Sequence, residues 1–129
     1  MIRSDATMSV VSFGPYDVIE SQRIIMMNGL VLDLSPRCFD VLLALLAKPN
    51  ELVTKAELLA NVWSGLAVEE GTLRFHIAGL RKALGDGRDG ARYIGTVPGR
   101  GYWFVAHVEW SERAFDATAP IDRGSGRVI

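Results

Sequence analysis

The sequence predicts an α+β fold in which a small antiparallel sheet is followed by three helices and a closing β-hairpin. Three observations carry it. Asn28-Gly29 sits between two apolar runs, a strong short-range hairpin signal because both turn positions need positive φ. Three successive stretches then place apolar residues at helical spacing, each with start or stop residues at its ends. Last, two strand-like runs flank Pro98-Gly-Arg-Gly101, a turn that lets backbone approach closely.

The elements follow in order. Residues 1–9 read as a flexible leader, in which Met8 is an alternative start. Strands are expected at Val10-Val-Ser-Phe13, at Tyr16-Asp-Val-Ile19 after the Gly14-Pro15 break, at 23–27 and at 30–34. Ser35-Pro36 opens the first helix, since serine caps and proline suits the first helical position. Its apolar stripe is Phe39, Leu42, Leu43 and Leu46, and Pro49-Asn50 ends it. Thr54-Lys-Ala-Glu57 is a capping box that opens a second helix burying Leu58, Leu59, Val62 and Trp63, and Ser64-Gly65 breaks it. The third helix, about 69–84, turns Leu73, Ile77, Leu80 and Leu84 to the core. Opposite them lie Gly71, Phe75, Ala78, Gly79 and Lys82, with Thr72 toward one edge. Gly85 caps this helix, and the closing hairpin takes about 93–105. After Val108 the pattern fades, so 10–108 is the expected domain and 109–129 a tail or linker, which favours a first domain of a longer chain.

Composition narrows the functions. The 129 residues are 49% apolar and 22% charged, enough for a packed core and unlike a disordered chain. No apolar run approaches the roughly 20 residues of a membrane span, and 1 cysteine cannot form an internal disulfide, which fits a cytoplasmic, reducing setting. The net charge of −1 argues against nucleic acid as a blanket inference, but its distribution does not. Residues 1–34 carry Arg3 and Arg23 against Asp5, Asp17, Glu20 and Asp33, whereas 72–84 carry Arg74, Arg81 and Lys82 and no acid.

The third helix and hairpin together suit duplex DNA, one lying in a major groove while the other reaches the neighbouring backbone. A phenylalanine and two glycines on an outward helix face make poor sense against water alone, because a mid-helix glycine costs about 1 kcal/mol against alanine. Phe75 can meet a thymine methyl, or it packs on the hairpin or the first sheet as satellite core. Arg74 and Arg81 flank the buried edge, where phosphates border a docked helix; a solvated or salt-bridged arginine is the plainer alternative. Arg100 at the turn suits a narrow minor groove. His76 reads as a half-buried residue orienting its neighbours, with a phosphate bond as the alternative, and Tyr102 can pack its ring while its hydroxyl reaches a phosphate.

Other chemistry lacks its context. Gly85-Asp-Gly-Arg-Asp-Gly90 matches a dinucleotide fingerprint in letters but follows a helix instead of a strand. Asp86 and Asp89 lack the loop of a calcium hand, and His76, His107 and Cys38 have no zinc spacing, so no metal or cofactor is expected. Cys38 reads as a packing residue; a helix-start redox thiol is the alternative, and a Cys38–His76 hydrolase has nothing to orient its histidine.

Four separated strings, Leu34-Ser-Pro-Arg-Cys-Phe-Asp-Val-Leu-Leu43, Leu52-Val-Thr-Lys-Ala-Glu-Leu-Leu59 with Val62-Trp63, 68–77 with Leu80-Arg-Lys-Ala-Leu84, and Gly99-Arg-Gly-Tyr102 with Phe104, occur in the order of one family. Over about 10–108 the chain resembles the OmpR/PhoB-type winged helix-turn-helix domain, and its Pro-Gly-Arg-Gly-Tyr turn is most similar to the subfamily with this domain at the N-terminus and no receiver domain. The resemblance implies a transcriptional regulator that binds specific duplex sequences, with the recognition helix in the major groove and the wing on the adjacent minor groove or backbone. It further implies two copies on direct repeats, and RNA polymerase contact through the loop Ser64, Gly65, Leu66, Ala67 and Val68. Thr72, Phe75, His76, Arg81, Thr96, Arg100 and Tyr102 match contact positions, and Lys82 shares the outward face. Family arginines are missing at Ala78, Gly79, Gly71 and Pro98, which implies weaker intrinsic affinity and more reliance on dimerisation or a tethered partner. The competing expectation is a winged helix used as a protein-interaction module.

Overall fold

The computed structural model describes residues 7–64 and 66–114, and they fall into two compact units, 7–33 with 108–114 and 34–107. The first unit is a five-stranded antiparallel sheet of β1 (Thr7–Phe13), β2 (Tyr16–Ile19), β3 (Ile24–Met27), β4 (Leu30–Val31) and β8 (Glu109–Ala114), in the order β4-β3-β2-β1-β8. Asn28 and Gly29 both take positive φ, 54° and 85°, as the hairpin reading requires. Val10, Val18 and Ile19 are fully buried in this sheet.

Two boundaries differ from expectation. β1 begins at Thr7, inside the expected leader, and 109–114, expected to open the tail, pair along β1 with Val11 opposite Trp110. The strand was hidden because Glu109-Trp-Ser-Glu-Arg-Ala114 shows no apolar alternation: its described side chains are exposed, and its pairing rests on backbone bonds, on Ser9 Oγ donating to Glu112, and on Arg113, which donates to Ser12 Oγ and lies 3.3 Å from Asp17. The rest of the expected tail, 115–129, lies outside the described residues, as do 1–6.

The second unit holds α1 (Pro36–Leu46), β5 (Leu52–Thr54), α2 (Lys55–Trp63), α3 (Glu70–Leu84), β6 (Ile94–Val97) and β7 (Gly101–Phe104). Ser35 caps α1 by accepting from the Cys38 N–H. The capping box at α2 is complete: Thr54 Oγ1 accepts from the Glu57 N–H, while Glu57 accepts from the Thr54 N–H at 2.9 Å. Leu42, Leu45, Leu58, Leu73, Ile77, Leu80 and Leu84 are at most 1% exposed and form the core of this unit with Ile94 and Phe104. Leu59 is half-buried, so the core face of α2 is narrower than expected.

The short strand β5 was not foreseen. It pairs with β7, Val53 opposite Tyr102, and makes a three-stranded sheet in the order β5-β7-β6. Three residues immediately before a strong helix cap are too few to show a period of their own. Gly101 stands opposite Thr54, and any Cβ there would overlap the Val53 carbonyl.

Candidate nucleic-acid interface

The helix–hairpin pair is built as one piece. Gly85 takes φ of 72° at the end of α3, and the Asp86 N–H donates back to the Arg81 carbonyl, a glycine-dependent C-terminal lock. The chain then returns through residues 87–93 into β6. Ile94 pairs with Phe104 on β7, and its outward edge faces no further strand among the described residues. Side chains from the end of α3 complete that edge instead. The Ile94 N–H donates to Asp86 Oδ2 at 2.9 Å, and the Ile94 carbonyl accepts from Arg81 Nη2 at 2.9 Å.

Phe75 lies on the outward face of α3 and is 74% exposed, so the alternative of satellite packing is corrected. Gly71, Ala78, Gly79 and Lys82 are exposed around that face. Internal packing accounts for neither glycine: a Cβ at Gly79 would meet Cys38 Sγ at an ordinary 3.5 Å, and one at Gly71 would meet only the Arg74 side chain, at 3.7 Å. Thr72 is half-buried, and its carbonyl accepts from His76 Nδ1 at 2.8 Å. His76 stands edge-on between Trp63 and Phe75, with ring centroids 5.4 and 5.3 Å away. His76 itself is half-buried.

The arginines divide. Arg74 is exposed and lies 3.5 Å from Glu70, whose carboxylate also takes the Lys55 ammonium. That Lys55 hydrogen bond, then its charge, holds the Glu70 carboxyl below its ordinary range. Arg81 is half-buried and turned to the hairpin: besides Ile94 it donates to Thr96 Oγ1 at 2.7 Å and lies over the Tyr102 ring at 5.9 Å. Three residues expected to touch DNA therefore touch each other, with Thr96 exposed and Tyr102 only 7% exposed. Arg100 is exposed at the hairpin turn, where Gly99 takes φ of 74°.

Sequence reasoning missed Asp86. Besides the Ile94 N–H it accepts from the Tyr93 N–H at 2.8 Å, and it lies 3.5 Å from Arg92. Burial, then the Asp86 charge, pushes the Tyr93 hydroxyl pKa up. An acid directly after a helix-ending glycine and just before a strand was the available signal. Cys38 is buried, and its Sγ meets the His76 backbone carbonyl at 3.5 Å, not the imidazole. In the loop between α2 and α3, Ser64 takes left-handed φ, Leu66 is 63% exposed, Ala67 is exposed and Val68 half-buried; Gly65 lies outside the described residues.

The family described as "Transcriptional regulatory protein, C terminal" matches residues 29–104. The transcriptional activator CadC of Escherichia coli is 37% identical over 102 residues, covering 78% of this chain and 20% of that protein, so the chain spans about a fifth of its length. The solved DNA-binding domain of E. coli CadC superposes with a TM-score of 0.72 at 36% identity, covering 82% of this chain and 100% of that one. The Klebsiella pneumoniae RstA DNA-binding domain, solved in complex with the RstA box, gives 0.66 at 29% identity, covering 76% and 98%. With a family match over more than half its length and this order of sheet, helices and wing, the chain belongs to the OmpR/PhoB-type winged-helix family of transcriptional regulatory proteins.

Proposed function

We propose that this domain reads a specific duplex DNA sequence for a transcriptional regulator, with α3 in the major groove and the β6–β7 wing on the adjacent minor groove or backbone. The observation that carries this reading is the outward face of α3, where a largely bare Phe75 stands among glycine and alanine. Small residues let a helix sink close to base edges, and an apolar ring there gains by meeting a thymine methyl. Thr72, Lys82 and Arg74 border the same face, and Arg100 at the wing turn carries the charge for a narrow groove.

In this reading the other residues take supporting roles. Arg81, Thr96 and Tyr102 hold the wing to the helix, and His76 supports Phe75. With the bordering cations few and Arg74 shared with Glu70, intrinsic affinity is modest, which favours binding as two copies on repeated half-sites. The exposed Leu66 and Ala67 suit a contact with RNA polymerase. In this reading the DNA-reading parts, α3 and the wing, both belong to the unit 34–107.

The test is a titration of labelled duplexes with the purified chain at several salt concentrations. Log affinity falling linearly with log salt, at about −0.9 per neutralised phosphate, supports DNA binding. Affinity that is absent or indifferent to salt would point to the protein-interaction module instead.

A further inference from the structure

We infer that Arg81 and Asp86 act as a pair of positioning residues, a cation in the last turn of α3 and an anion just past its capping Gly85, that hold the wing where Arg100 can engage DNA. The inference rests on the DNA reading above. In an open antiparallel sheet the outer strand leaves every second residue's N–H and carbonyl facing outward. On β6 the residues so placed are Thr96 and, standing opposite Phe104, Ile94. The outward N–H of Ile94 goes to the Asp86 carboxylate and its outward carbonyl to the Arg81 guanidinium, so two side chains occupy the place of a fourth strand.

The grip is wider than one residue. Asp86 also takes the Tyr93 N–H, and its side chain is only 6% exposed, so two adjacent amides converge on one shielded carboxylate. Such charge-assisted bonds are the strong kind. Arg81 continues along the same strand to Thr96 Oγ1 and covers Tyr102, which lies opposite Thr96 on β7. Both strands are thereby referred to the last turn of α3, independently of the glycine-rich residues 87–90. On the other side β5 holds β7 through Thr54 opposite Gly101, and the Lys55 N–H donates to the Arg100 carbonyl at 3.1 Å. The hairpin is held along both edges, and the reach from Phe75 to Arg100 is set before DNA arrives. Arg81 then serves binding through Arg100 and not as a phosphate contact of its own.

A double-mutant cycle on duplex affinity tests this. Arg100→Ala is expected to weaken the wild-type chain about tenfold and the Arg81→Ala chain less than about threefold, because a loosened wing has already lost its contact. Arg81→Lys, which keeps the charge but not the forked donors, should restore only part of that coupling. Equal losses from Arg100→Ala in both backgrounds would overturn the proposal, since an independent phosphate contact adds without coupling. Amide hydrogen exchange, which needs no DNA, supplies the second readout. The Tyr93 and Ile94 amides should exchange at least about tenfold faster in Asp86→Ala while those of mid-α3 hold; unchanged rates would contradict the grip itself. Failure of the wild-type chain to bind any duplex, with exchange as expected, would refute the DNA reading and Arg81's role in it, and leave only the grip.

Discussion

Phe75 stands edge-on to His76, ring centroids 5.3 Å apart and planes at 85°, so an otherwise bare aromatic is held on the outward face of α3 by its own sequence neighbour. His76 is in turn fixed through Nδ1 to the Thr72 carbonyl and flanked by Trp63. A ring so exposed adds little to the core, and in the proposed reading it serves recognition.

Phe75→Ala should therefore leave stability within about 0.5 kcal/mol, as for exposed sites generally. It should cost about 1 kcal/mol of discrimination at one or two thymine positions. Denaturant unfolding and duplex selection with the variant check the two halves separately.

Arg100→Ala should weaken binding to all duplexes alike and flatten the salt slope by about 0.9, the share of one released counterion. Because Arg100 is exposed at a turn, the thermal midpoint should hold. Titrations at several salt concentrations give the slope.

Gly79→Ala should separate stability from binding. The added methyl meets Cys38 Sγ at an ordinary distance, and removing a mid-helix glycine should stabilise the fold by about 1 kcal/mol. The same methyl thickens the face that approaches DNA, so duplex affinity should fall as stability rises. Urea unfolding and binding on one preparation test both signs.

Thr54→Ala removes one side of the α2 capping box and should cost about 1 kcal/mol. The other side is pH-dependent. The Thr54 N–H, then the Lys48 ammonium, holds the Glu57 carboxyl below its ordinary range, as Lys55 does for Glu70. Groups lowered in the fold stabilise it above their ordinary range, and that contribution is lost as pH falls through their lowered values. Wild-type stability should thus fall more steeply on acidification than that of Glu57→Gln, which keeps an acceptor but cannot titrate. Unfolding curves between neutral pH and about pH 3 give the comparison.

Legibility in the sequence followed the range of the physics. Local rules placed the Asn28-Gly29 turn, the Ser35 and Thr54 caps, the Gly85 stop and the buried stripe of α3, because each depends on residues within one or two turns. β5 and β8 escaped because their pairing partners, Tyr102 and Val11, are distant in sequence and their own patterns are short or fully exposed. The outward face with Phe75 was readable from helical angle alone. The commitment of Arg81 to Thr96 and Ile94 was not, since angle says where a side chain leaves the helix and not which strand waits for it. Asp86 was invisible for the same reason.

We propose above all that this domain recognises a particular DNA sequence. Selection of duplexes from a random pool with the purified chain, followed by binding of the winners at two salt concentrations, tests it most directly. Enrichment of a repeated half-site containing thymine positions, with affinity that drops steeply at the higher salt, is the predicted result. A pool that stays random, with weak binding to every duplex, would contradict it.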